Sequence, residues 1–248
     1  MVIKTKDWYK HWFGNEYLTV YAHRDEQEAR ALVNLIERYI PFDPQYLTLD
    51  LCCGQGRHAR LLASRGYRVI GLDLSRTLLQ IAKFNTGPYR SPAFVQADMR
   101  SLPFSGKFDL VLNLFTSFGY FEPDYENQQV FEQFYRVLNP RGYFVFDYFN
   151  APHVVENLVA YQKEEVNGSH IEFERKIVNR RVEKMIHMEK KGKSSVFFES
   201  VKMYQPDEIF NMLHQAHLEI EQIFGDYSGV RFDHHTPRLL IIGKKSKI

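Results

Sequence analysis

What the 248-residue sequence lacks narrows its function first. It has only two cysteines, Cys52 and Cys53, and they are adjacent. Neighbouring cysteines rarely bridge without strain, so a disulfide framework is excluded. No apolar run approaches the length that spans a bilayer, and no apolar targeting segment opens the chain. Free thiols in such a chain predict a cytoplasmic protein with no membrane partner. Thirty-two Lys and Arg against thirty Asp and Glu leave a net charge of +2. No long basic run offers wholesale phosphate neutralisation. Internal repeats and low-complexity tracts are missing. So is metal-ligand spacing: His214-x-x-His217 and Asp233-His234-His235 have neither a cysteine partner nor a His-Glu-x-x-His frame, and no metal is expected. What is there is ordinary for a globular protein, with 44% hydrophobic and 25% charged residues. That suffices for one large domain, or a domain with an appendage, without staples.

The chain is organised around Tyr46 to Ala59. The first half reads as a short buried parallel strand ending near Asp50. It breaks into a turn carrying Gly54 and Gly56, and from Arg57 the spacing turns helical until Gly66. Strand, glycine turn and helix place backbone N–H groups against the polar tail of a nucleotide-like ligand. A second strand, Tyr67 to Leu74, carries Asp73 about twenty residues beyond Gly54, where a ribose-binding acid is expected. Gly54-x-Gly56-x-x-Ala59 is also a variant of the dinucleotide fingerprint, so a nicotinamide oxidoreductase is the first alternative. Asp50 argues against it. A pyrophosphate site has little use for an anion there, whereas a ligand with an amino group and a sulfonium does.

At these residues the chain resembles the class I S-adenosylmethionine-dependent methyltransferases. Their first motif, Asp/Glu-x-Gly-x-Gly-x-Gly, is met by Asp50, Gly54 and Gly56, with Cys52 where the first glycine is usual. The likeness continues through Gln96-Ala97-Asp98-Met99 after a third strand (Ala93 to Val95). It includes a fourth strand, Lys107 to Asn113, and the helix and strand within Phe131 to Phe146. It covers roughly residues 46 to 150. The resemblance implies S-adenosyl-L-methionine as cofactor, with S-adenosyl-L-homocysteine as product. It assigns Asp50, Cys52, Gly54, Gly56, Asp73, Leu74, Asp98, Met99, Asn113, Leu114 and Phe115 to cofactor binding. Phe118 and Tyr120, in the aromatic loop Phe115 to Phe121, are placed towards substrate.

Upstream, an aromatic leader holds Trp8, Tyr9, Trp12, Phe13, Tyr17 and Tyr21. It is expected to cap the sheet and to present Tyr17 or Tyr21 to the transferred methyl group. Glu28 to Tyr39 has the spacing of a helix, ended by Pro41 and Pro44. Ser75 is placed to cap a helix reaching about Asn85, and Pro88 and Pro92 mark the loop after it. A fifth strand, Tyr143 to Tyr148, leads to a helix from about Pro152 to Val159. From Lys163 to Tyr204 polar and apolar residues then alternate, with Gly168 and Gly192 as punctuation. Period two predicts about four antiparallel strands, and Lys190, Lys191 and Lys193 fall at a solvated turn. A last helix opens at Pro206-Asp-Glu and runs to about His217. Leu218 to Phe224 and Arg238 to Gly243 then complete a sheet.

The expected fold is α/β: a Rossmann-like, doubly wound, seven-stranded sheet in the order 3-2-1-4-5-7-6, its last strand antiparallel. Residues 1–150 and 205–248 would form this domain and its helical cap. Residues 160–204 would form an antiparallel insert, either a lid or an oligomer contact, in a monomer or homodimer. The reaction expected is direct in-line methyl transfer to nitrogen or oxygen of a small-molecule acceptor. Candidates for collecting a proton are Tyr17, Tyr120, Asp147, His153 and His234. The Asn/Asp-Pro-Pro-Tyr motif of exocyclic-amine methyltransferases is absent, its place reading Asn113-Leu-Phe-Thr116. That disfavours base methylation, although RNA stays open as a partner, and so does a non-catalytic regulatory role.

Overall fold

The computed structural model describes residues 7–22, 26–41, 43–86 and 92–246. The leader before Asp7 and the loop marker Pro88 lie outside them. Two short helices, α1 (Tyr9–Trp12) and α2 (Asn15–Val20), precede α3 (Glu26–Tyr39). Then come β1 (Leu47–Leu51), α4 (Arg57–Ser64), β2 (Arg68–Asp73), α5 (Arg76–Thr86), β3 (Ala93–Gln96) and β4 (Phe108–Asn113). After α6 (Asp124–Val137), β5 (Leu138–Phe149) and α7 (Ala151–Asn157), the insert forms β6 (Tyr161–Val166), β7 (Ser169–Val178), β8 (Arg181–Lys190) and β9 (Lys193–Lys202). The chain ends in α8 (Pro206–Gln215), β10 (Leu218–Phe224) and β11 (Arg238–Lys245). Among the described residues, no helix is long and apolar enough to cross a membrane.

The large sheet runs β3-β2-β1-β4-β5-β11-β10. Pairings from β3 to β5 are parallel, and β11 lies antiparallel to both β5 and β10. This is the predicted order. Period-two alternation divides its side chains between two cores. Val111, Phe144, Phe146, Leu239 and Ile241 face α6, α8, the leader and the insert. Leu110, Leu112, Val145, Leu240 and Ile242 face α3 and α4. Ser75 caps α5 as expected, its Oγ accepting the Leu78 N–H at 3.1 Å.

Gly243 marks the tightest approach in the sheet. A methyl group there would meet the Glu219 carbonyl oxygen inside contact distance and the Phe144 ring at 2.5 Å. The collision is with backbone and a core ring, so neither yields cheaply. Gly243→Ala is expected to cost about 2–3 kcal/mol, read as a lowered midpoint in urea with an unchanged slope. A loss below about 0.5 kcal/mol would show that β10 and β11 can part without penalty.

The insert is a four-stranded meander, β6-β7-β8-β9. Its hairpins close at Asn167-Gly168, Asn179-Arg180 and Lys191-Gly192, where every residue has positive φ, as primed two-residue turns require. Lys190, Lys191 and Lys193 lie exposed at the last of these. Ile171, Phe173, Ile186 and Met188 on its inner face join the core of the large sheet. The two sheets are welded beside the aromatic loop. The Lys202 N–H donates to the Gly119 carbonyl at 2.8 Å, and the Tyr148 hydroxyl donates to the Lys202 carbonyl.

Candidate active site

A cavity of about 560 Å³ opens at the carboxyl ends of the parallel strands, the edge at which open α/β sheets bind ligands. Its floor is the turn after β1. Cys52 takes φ 61° and Gly54 φ 56°, so the residue in the first-glycine position holds a left-handed conformation despite its side chain. Its sulfur is tucked 3.6 Å from the Met99 sulfur. Gly56 is the left-handed N-cap of α4, with φ 74°. A Cβ there would meet the Phe94 ring at 2.8 Å, so this glycine permits close packing behind the wall.

Three carboxylates face one end of the cavity. Asp50 is buried, and its Oδ2 has no hydrogen-bond partner. Burial pushes its carboxyl up to about 7; the Ala59 backbone N–H opposes this, the nearby Asp73 charge adds to it, and Arg57 opposes it least. Asp73 accepts the Gly54 and Ser75 N–H groups, each at 2.8 Å, so one acid ties the glycine turn to the end of β2. Burial raises its carboxyl too. Asp98 is held below the usual range by Arg100 despite burial. That guanidinium also pairs with Glu126 and lies 4.3 Å from the Phe121 ring centroid. His58, on the same wall, is driven down to about 3 by burial and by Arg57, so it stays neutral, and its Nε2 is without a partner. Burial also pushes both thiols up, which keeps them from acting as nucleophiles.

The leader and the insert close the opposite end. Trp8, Tyr9, Phe13, Tyr17 and Tyr21 line the cavity with Tyr120 and Phe121, and Trp8 and Tyr120 meet edge to face at 5.1 Å. From the insert come Gln162, Arg175, Val182, Lys184, Glu199 and Val201. One carboxylate joins the two parts. Glu199 accepts the Trp12 indole N–H at 2.6 Å and the Tyr21 hydroxyl at 2.8 Å, and Lys184 Nζ donates to the Tyr21 hydroxyl at 2.6 Å.

Of the residues assigned to cofactor, Asp50, Cys52, Gly54, Asp73, Leu74, Asp98, Met99, Leu114 and Phe115 line this cavity. Gly56 and Asn113 stand behind it. Asn113 is buried and uses its amide to hold the Ser117 carbonyl at 3.1 Å. Of the proton-acceptor candidates, Tyr17, Tyr120 and His153 line it. Burial keeps Tyr120 a neutral phenol. Asp147 is not in the wall. It is buried and ion-paired to Arg238 at 2.7 Å, and it accepts the Phe115 N–H and the Tyr227 hydroxyl. With every lone-pair direction engaged, it positions the aromatic loop rather than taking a proton. His234 is exposed and away from the cavity. Phe118 does not reach substrate either: it is buried and stacks on Phe131 at 4.7 Å. Among the described residues, no group of three or more His, Cys, Asp or Glu is placed to hold a metal ion.

The site residues not anticipated are Arg57, His58, Arg175, Lys184, Glu199 and Arg238. The first two directly follow Gly56, where the first turn of α4 faces the glycine floor. Lys184 carried a readable signal: it sits between Val182 and Ile186 in the inward-facing period of β8.

Comparison with known proteins agrees with this geometry. Residues 48–142 match the family model of the methyltransferase domain. Over 109 residues the chain is 34% identical to the putative methyltransferase YqeM of Bacillus subtilis, covering 44% of each chain. Over 123 residues it is 32% identical to a dTDP-3-amino-3,6-dideoxy-α-D-glucopyranose N,N-dimethyltransferase of Streptomyces fradiae, covering 49% of this chain and 46% of that one. The matched stretch thus spans about half the length of these curated relatives. Across almost the whole length, the fold matches an S-adenosylmethionine-dependent methyltransferase of Clostridium acetobutylicum with a TM-score of 0.79 at 20% identity, covering 93% of this chain and 96% of that one. Residues 48–142 are therefore a methyltransferase domain, and the chain around them has the class I S-adenosylmethionine-dependent methyltransferase fold.

Proposed function

We propose that this chain transfers a methyl group from S-adenosyl-L-methionine to nitrogen or oxygen of a small-molecule acceptor. The observation that carries this reading is the unpartnered, buried Oδ2 of Asp50 beside the open glycine turn. A buried carboxylate oxygen without a donor is costly unless a ligand supplies one, and a cationic amino group would do so. Gly54 leaves its surroundings open, with only a Leu78 methyl within 4 Å of where a Cβ would sit. In this reading Asp73 takes ribose hydroxyls, and Asp98 and Met99 border an adenine ring.

When bound, the cofactor supplies a methyl group already activated by its sulfonium. The work of the chain is then to bind, align and exclude water. The aromatic leader and the aromatic loop form a largely apolar wall around the acceptor end. Tyr17, Tyr120 and His153 line the cavity, and in this reading one of them accepts a hydrogen bond from an acceptor amine or hydroxyl. The relative from Streptomyces fradiae is an N,N-dimethyltransferase of an amino sugar, which supports a small amine as one acceptor class.

S-adenosylhomocysteine is expected to raise the melting temperature of the purified protein, and NAD(H) is not. A shift with NAD(H) alone would move the reading to an oxidoreductase. Asp73→Asn, which keeps one acceptor oxygen for the turn, should weaken S-adenosylhomocysteine about tenfold, or 1.4 kcal/mol. Unchanged affinity by calorimetry in a folded variant would remove Asp73 from the ribose site.

A further inference from the structure

The two ends of the cavity carry opposite charge. Asp50, Asp73 and Asp98 stand at the strand ends, whereas the insert brings two cations, Arg175 and Lys184. These two are directly opposite each other in the β7–β8 register, and Lys184 is in turn opposite Glu199 in β9. All three belong to the inward-facing row and line the cavity. Like charges facing each other across a strand pair are destabilising, and here two cations share one carboxylate.

Glu199 serves the Lys184 side, at 3.7 Å from Nζ, while holding Trp12 and Tyr21. Arg175 is left with neutral partners. Its guanidinium donates to the Val159 carbonyl at 3.2 Å and to Gln162 Oε1 at 3.0 Å, and packs 4.9 Å from the Phe173 ring centroid. Among the described residues no carboxylate lies within ion-pairing distance of it; Glu164 is reached only through the Gln162 amide. Arg238 and Arg57, also on the wall, have Asp147 and Glu28 respectively. A half-buried guanidinium beside a second cation, with donor capacity to spare, is a site for an anion.

We propose that the acceptor carries an anionic group, a carboxylate or a phosphate ester, that docks between Arg175 and Lys184 and points its nucleophilic end towards the acid-lined half of the cavity. This rests on the reading of the cavity as a methyl-transfer site and names the acceptor class within it. Arg175 is a specificity-determining residue, remote from the reacting atoms, whose work is to select and orient.

The test is a titration of the S-adenosylhomocysteine-loaded protein with inorganic phosphate and with acetate, at constant ionic strength. It is followed by the arginine Nε–H resonances in a nitrogen–proton correlation spectrum. The resonance that disappears in Arg175→Gln identifies Arg175. It should shift with a dissociation constant on the order of 1–10 mM for at least one anion, and the affinity, read in the variants from the backbone amides of β7 and β8, should fall at least about fivefold in Arg175→Gln. Tighter phosphate points to a phosphate ester, and tighter acetate to a carboxylate. Arg175→Lys keeps the charge but not the fork and should recover part of the affinity lost in Arg175→Gln, which guards against a variant that merely misfolds. A resonance unmoved by both anions, or equal anion affinity in Arg175→Gln, overturns the proposal. If S-adenosylhomocysteine fails to bind while the same anion titration of the protein without it succeeds, the cofactor reading falls and the anion site stands.

Discussion

Arg181→Ala is expected to destabilise the protein by about 3–4 kcal/mol, the scale of several charge-assisted hydrogen bonds lost together. Arg181 starts β8 and reaches out of the insert into the aromatic loop. Its guanidinium donates to Ser200 Oγ at 2.7 Å and the Ser200 carbonyl at 2.8 Å. It also donates to the carbonyls of Gly119, Tyr120 and Phe121 at 3.2, 3.0 and 3.2 Å. Three consecutive carbonyls of one loop thus converge on a single side chain. Truncation takes one donor from each loop carbonyl; Gly119 keeps the Lys202 N–H and Phe121 the Asn127 amide, so the desolvation penalty falls hardest on Tyr120. For a chain of this size the loss should lower the melting temperature by roughly 10 °C. Arg181→Lys should recover less than half of it, because an ammonium cannot fork towards three carbonyls. A loss under about 1 kcal/mol for Arg181→Ala would show that the loop is held by its aromatic packing instead.

That weld changes how the insert is to be understood. Period-two alternation from Lys163 to Tyr204 predicts about four antiparallel strands, and the structure has four. Alternation says which residues share a face, but not what the face rests on. Here Ile171, Phe173, Ile186 and Met188 complete the core beneath the leader, so removing the sheet would expose that core. Cofactor binding and acceptor selection are therefore best separated by point substitutions.

The parallel half of the fold was legible because three of its strands carry an acid at or just past their carboxyl end: Asp50 in β1, Asp73 closing β2 and Asp98 two residues after β3. The same marks located the acid-lined end of the cavity. Asp147 carries the same kind of mark and misled, since an acid at the end of β5 reads alike whether it faces a ligand or an internal arginine. Its partner Arg238 is ninety-one positions away in the chain, a separation no local pattern reports. Phe118 and Tyr120 show the same limit at closer range. Two residues apart in a loop without regular period, one is core and the other is wall. The hairpin at Asn179-Arg180 was hidden for a different reason: a positive φ without glycine leaves no compositional trace, and Arg180 is held there through its ion pair with Glu208.

The affinity for S-adenosylhomocysteine should fall about tenfold for each pH unit below 7, reaching about a hundredfold by pH 5, and should be level above pH 7.5. The cause is Asp50. Without ligand its carboxyl is pushed up to about 7 by burial, with the Ala59 backbone N–H opposing, Asp73 adding and Arg57 opposing least. His58 on the same wall stays neutral throughout this range. Because the folded value lies above the unfolded one near 3.8, the empty protein binds the extra proton, and its stability declines as pH rises from about 4 to 7. A ligand ammonium beside Oδ2 favours the carboxylate, so binding below pH 7 must expel that proton and weakens as protons become abundant. Calorimetry at pH 6 in buffers of different ionisation enthalpy should report release of close to one proton per ligand. Asp50→Asn should bind more weakly at pH 7.5 and lose the pH dependence altogether. An affinity that stays level from pH 5 to 8 in the unmodified chain would mean that the amino group of the ligand does not meet Asp50, and the acid would revert to a structural role under the glycine turn.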